Sequence, residues 1–169
     1  MKSVKTVKAA LKPKSEVIEL EAFGLSTGME RSRPVMLFRE KGGESVLPVW
    51  LSPVDAGITL SQNAFAITPH DVSLTVLKEL GLGVEACRFS EVKGHQQYVE
   101  IKFTGSKKVK EMRFRADHAI SFCLQARARF FCTRAYLETC REIDVDLGRM
   151  EAAMGPRSKR VPSGLPYLN

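Results

Sequence analysis

The sequence predicts an α+β fold: a mixed sheet with an internally duplicated strand-strand-strand-helix unit and a C-terminal helix. Three observations predict it. Alternating apolar segments separated by glycine turns come in two sets of three. Each set runs directly into a helix start. A chain of 169 residues with 44% apolar content has the size of one domain with a real core.

The elements follow in order. Ile18, Leu20 and Ala22 alternate with Glu19 and Glu21, as on a half-exposed strand. Residues 34–40 form a second strand, and Gly42-Gly43 turns it into a third over 45–51. Pro48 marks that third strand as an edge or a bulge, and Trp50 on it reads as core. Ser52 caps a helix to about residue 64. Thr68 caps another, with Val72, Val76, Leu77 and Leu80 on one face and Gly81 as its stop. The second set has strands over 84–92, 98–103 and 110–115, with His95 in an exposed glycine turn. A helix then runs from about Asp117 to about 128, and 130–132 is a short strand. Thr133 caps a helix to about 141. Asp144 caps a last one carrying Val145, Leu147, Met150 and Met154, ended by Gly155-Pro156.

Charge divides the chain. Residues 1–14 hold five Lys and no acid, and 155–169 hold Arg157, Lys159 and Arg160 and no acid. Both read as basic flexible segments around a domain at 15–154 whose net charge is −1. Within it, 102–134 carries nine basic residues against Glu111 and Asp117. Such a segment either faces phosphates, with Arg113, Arg115, Arg127 and Arg129 as candidate nucleic-acid contacts, or guards a strand edge with charge. No apolar run approaches the roughly 18 residues of a membrane span, and no secretory apolar stretch follows the N-terminal lysines, so a cytoplasmic location is expected. The four Cys are not at zinc spacing, and Cys123 and Cys132 read as buried thiols.

Three helix starts share a register. Ser52-Pro53-Val54-Asp55 and Thr68-Pro69-His70-Asp71 are S/T-P-x-D, with a capping hydroxyl, proline at the first helical position and an acid three residues after the cap. Arg115-Ala116-Asp117-His118 has lost the hydroxyl and the proline. Laying the second unit on the first places Asp55-Ala56 over His118-Ala119. Capping explains the acids, since a carboxylate there bonds back to the cap and meets the helix dipole. The same residues carry oxygen and nitrogen ligands suited to a divalent metal, with Arg115 able to clamp a phosphate. Both readings stand at this level.

The segments RPVMLF, LPVWLSPVDAG, TPHDVSLTVLKELGL, QYVEIKF and FRADHAISFCLQARARFFC, in that order over residues 17–133, resemble the bifunctional nuclease domain family. That family runs PVVIL, LPIWIG, an EA pair, THDLL, RPSDAIALA and PIYV. Asp55-Ala56 stands for its EA pair. His70 and Asp71 keep two residues of THDLL, whose threonine is Pro69 here. Arg115 keeps the arginine of RPSDA, whose proline, serine and aspartate are Ala116, Asp117 and His118. Arg129-Phe130 replaces Pro-Ile. The resemblance implies a nuclease acting on DNA and RNA with divalent-metal assistance from Mg or Mn, and a homo-oligomer. Carried onto this chain, Asp55, His70, Asp71, Arg115 and His118 are the catalytic candidates. Asp55, Asp71, Asp117 and His118 are the metal candidates. Because the RPSDA block is altered, the alternative is a catalytically inactive nucleic-acid-binding or regulatory module of the same fold.

Overall fold

Strand-strand-strand-helix does occur twice. The computed structural model describes residues 16–27, 33–64 and 66–142. The first unit is β1 (Val17–Ser26), β2 (Val35–Glu40), β3 (Val46–Trp50) and α1 (Pro53–Asn63). Helix α2 (Pro69–Glu79) follows. The second unit is β4 (Gly83–Lys93), β5 (Gln96–Thr104), β6 (Glu111–Arg115), a 3-10 turn at Ala116–His118 and α3 (Ile120–Gln125). Strand β7 (Arg129–Thr133) and α4 (Arg134–Glu142) end the described fold. The expected helix over 144–154 and the two basic terminal segments lie outside the described residues.

One mixed sheet holds all seven strands in the order β3-β2-β1-β7-β4-β5-β6. Its pairs are antiparallel except β4 with β7. The two units therefore flank β7, which pairs with the first strand of each. Pro48 sits on edge strand β3, where a missing N–H costs least.

The sheet is curled. If it were flat, β2 and β4 would stand three strand spacings apart, about 14 Å. The rings of Phe38 and Phe89 on those strands are 5.4 Å apart, and Phe130 on β7 lies 4.8 Å from Phe38. Ile18, Leu20, Leu47, Val49, Val99 and Ile101 join them on the concave side, where Ala56 of α1, Ile120 and Cys123 of α3, and Leu137 of α4 complete the core.

Curling brings the two edges of the sheet together. Gln97 is buried on β5 and its side-chain amide reaches β3. Its Nε2 donates to the Pro48 carbonyl at 2.9 Å, and the Trp50 N–H donates to its Oε1 at 3.3 Å. One side chain thus takes the place of a neighbouring strand. Next to it, the Ser52 N–H donates to the Asp117 carbonyl at 3.0 Å.

Four expectations change. Helix α3 is shorter than read, because Arg127 takes a left-handed conformation (φ 54°) that the helix cannot contain. Helix α2 buries none of its residues, and Val72, Val76 and Leu80 stay exposed. Trp50 is half-buried rather than core, because Leu47, Val49 and Leu51 take the inward positions of its segment. Counted from the strand ends, Ser52 falls on Asp117 and Asp55 on Ile120, rather than Asp55 on His118. Gly81 stops α2 as expected, at φ +69°. Gly105 has no alternative: a Cβ there would stand 1.9 Å from the Gly81 carbonyl oxygen.

Replacing Gln97 by Leu keeps the bulk and removes both bridging bonds, stranding the Trp50 N–H and the Pro48 carbonyl. We expect a loss of about 1–3 kcal/mol, read as a lower midpoint in urea unfolding with an unchanged slope.

Candidate active site

The first two helix starts are caps. Ser52 Oγ accepts from the Asp55 N–H at 3.0 Å, with Pro53 opening α1. At α2, Thr68 and Asp71 form a full capping box, in which the Thr68 N–H donates to Asp71 Oδ2 at 2.7 Å. The third start has no side-chain cap.

Capping does not occupy the carboxylate of Asp55. That side chain is buried and turned toward α3. The Ser121 N–H donates to Asp55 Oδ2 at 3.1 Å, and Ser121 Oγ donates to Oδ1. His70 Nε2 lies 2.7 Å from Ser121 Oγ. A hydroxyl has one proton, and here it goes to the carboxylate, so His70 must donate from Nε2. Nδ1 is then the basic nitrogen of the neutral ring. The ring's edge packs on Phe122, with centroids 5.5 Å apart.

Asp71 joins the same cluster through Gln125. Gln125 Nε2 donates to Asp71 Oδ1, while its Oε1 accepts from Thr68 Oγ1 at 2.7 Å and Gln62 Nε2 at 2.8 Å. Ser121 and Gln125 are four residues apart and share one face of α3. A groove of about 620 Å³ borders the cluster, lined by Asp71, Gln62, Gln125, Arg127 and Arg129 among others.

Arg115, Asp117 and His118 form a second cluster. Arg115 clamps the Asp117 carboxylate through Nε (2.9 Å) and Nη2 (2.5 Å), and Arg33 Nη2 reaches it at 3.4 Å. His118 is exposed, with Nε2 3.8 Å from Asp117. The four metal candidates are therefore divided between the two clusters. Among the described residues, no three His, Cys, Asp or Glu side chains gather as a metal-holding group. Arg113 and Arg115 lie on β6, whereas Arg127 and Arg129 border the groove. All four Cys are buried free thiols.

Electrostatics follows burial. Burial raises the Asp55 carboxyl above its ordinary range, against hydrogen bonds from Ser121 and the nearby His70 and His118 charges that lower it. Burial likewise lowers His70, although Asp55 and Asp71 pull it up. Asp71 is held low, chiefly by the bond from the Thr68 backbone. Burial pushes Asp117 up, but the Arg115 bonds and the charges of His118, Arg115 and Arg33 together hold it below the usual value.

Ser121, Gln125 and Gln62 escape a reading of the sequence. The signal they leave is faint: Ser121 and Gln125 are the polar residues in the apolar run from Ala119 to Ala126. No model of a known protein family matches the chain, and no curated protein matches it.

His70 makes stability depend on pH. Its folded-state pKa is lowered, so the unfolded chain binds the proton more tightly. The contribution of neutral His70 is full above the unfolded pKa of about 6.5 and is lost as pH falls below it. Asp55, with its raised pKa, titrates with the opposite sign. We therefore expect the thermal midpoint of the native chain to drop more than that of His70→Gln between about pH 7.5 and about pH 5.5. Parallel midpoints would contradict it.

Proposed function

We propose that the chain is a nucleic-acid-acting domain of the bifunctional nuclease type, which hydrolyses DNA or RNA phosphodiester bonds at the Asp55–His70–Asp71 cluster. One observation carries this reading. Asp55 from one block of the sequence and His70-Asp71 from another meet around Ser121 and Gln125 beside a groove lined by Arg127 and Arg129. In that reading the two arginines hold phosphate oxygens. His70, neutral near pH 7, takes a proton from the attacking water at Nδ1 as the water oxygen bonds to phosphorus, and the departing sugar oxygen takes a proton from solvent as its bond to phosphorus breaks. Asp55, through Ser121, keeps the ring in the required tautomer. Arg115 and His118 stand outside this set, beside Asp117.

Mg or Mn is the metal that the resemblance implies. The donors do not fit it as they stand. Asp55 accepts from Ser121 with both oxygens, Asp71 from Thr68 and Gln125, and Asp117 from Arg115. No step is assigned to a metal on these residues. The same engagement favours a second reading, a catalytically inactive nucleic-acid-binding or regulatory module. Self-association into a homo-oligomer belongs to either reading, and the exposed Val72 and Val76 of α2 with Leu80 just after it offer an apolar face for it. Among the described residues, no helix is long and apolar enough to cross a membrane.

The test is cleavage of single-stranded DNA and RNA with Mg, with Mn and with a chelator. We expect His70→Ala and Asp71→Ala to lower the rate about a hundredfold or more. Undiminished cleavage in both variants would assign the activity to a contaminant and overturn hydrolysis at this cluster. Binding without cleavage by the native chain would select the second reading.

A further inference from the structure

The line where β3 meets β5 and the 3-10 turn after β6 carries chemistry that the cluster around Asp55 does not use. Side chains alternate across a sheet, so the inward Val49, Gln97 and Val99 leave Trp50, Tyr98, Arg113 and Arg115 on the convex face. The Arg33 guanidinium lies 6.0 Å from the centre of the Trp50 ring, and that of Arg113 lies 4.4 Å from the centre of Tyr98. Arg115 pairs across the ladder with Tyr98 and is fixed by Asp117, which also reaches Arg33. The result is a continuous row, Arg33–Trp50, Arg115, Tyr98–Arg113, laid across the seam. Among the described residues there are four guanidinium-on-ring pairs. A chain of this length ordinarily holds about two.

We infer that this row binds single-stranded nucleic acid, with unpaired bases stacking on the guanidinium planes of Arg33 and Arg113 and backbone phosphate pairing with Arg115. The inference rests on the nucleic-acid reading above and names the form of the polymer. An arginine held over a ring keeps part of its guanidinium exposed as a cationic surface, which suits a base that is free of a duplex stack. A duplex presents its edges and phosphates and gains nothing from such planes. The three arginines of the row pair with two acids, Asp117 and Glu91, while Glu100 opposite Arg113 is paired with Arg88. The Arg113–Glu91 pair is exposed on both sides, so phosphate can replace the glutamate at little cost.

Trp50 is the one tryptophan of the chain, so its emission reports on the row. The experiment titrates the full chain with labelled oligoadenylate, single-stranded and as its duplex. Anisotropy and Trp50 fluorescence are read together at two salt concentrations. We expect the single strand to bind about tenfold or more tighter than the duplex and to change Trp50 emission. Arg113→Lys and Arg33→Lys keep the charge and lose the plane, so each should weaken the single strand about fivefold or more. Their thermal midpoints serve as the check on folding. Lysine variants that bind like the native chain, or a duplex bound as tightly as the single strand, would overturn the row while leaving nucleic-acid binding in place. A native chain that binds neither form would overturn both.

Discussion

The closure of the sheet by Gln97 is the contact on which the site depends. A curled sheet of seven strands ends in two edges with unpaired backbone groups. Extending the ladder across the gap would need another strand. The side-chain amide of Gln97 presents an N–H and a carbonyl oxygen at the spacing of a peptide group, and it serves Pro48 and Trp50 with them, while Nε2 also reaches Cys140 Sγ. With β3 held there, α1 begins beside the 3-10 turn that leads into α3. Asp55 can then reach Ser121, a partner 66 positions away in the chain.

That partner explains how a carboxylate is kept inside. A buried acid is costly unless its oxygens are bonded, and Asp55 has both oxygens bonded by one residue. The arrangement passes on to His70, whose donating nitrogen is chosen by the direction of the Ser121 proton. Orientation therefore runs from the core outward: the closed seam places α1, α1 places Asp55, and Asp55 sets the serine that sets the imidazole. Helix α2 adds no buried side chain to this order and is held through the polar groups at its start.

Local chemistry was legible in the sequence, and long-range partnership was not. Ser52 and Thr68 with their following prolines announce two helix starts, and both are caps. Alternation at Ile18–Ala22 and Tyr98–Phe103 places strands, and Pro48 announces an edge. Asp55 and Asp71 look alike in sequence, since each stands three residues after a hydroxyl cap. Only Asp71 turns back to its cap, because Ser121 offers Asp55 two donors that no local pattern encodes. Gln97 lies just before the strand expected over 98–103, and nothing near it in the sequence announces the far edge of the sheet that arrives beside it. The stripe on α2 has the spacing of a core face and stays outside, because the concave side of the sheet is already filled by α1, α3 and α4.

Strand β7 has a consequence for how the chain is made. It lies between the two units and pairs with the first strand of each, Val17 standing opposite Thr133. On a ribosome β1 emerges early, yet the neighbour on one of its sides is among the last strands to be synthesised. Until then that side of β1 offers open backbone groups, and the first unit cannot finish its sheet alone. The duplicated halves are therefore not two small proteins joined end to end, because the strand that completes the first is encoded after the second.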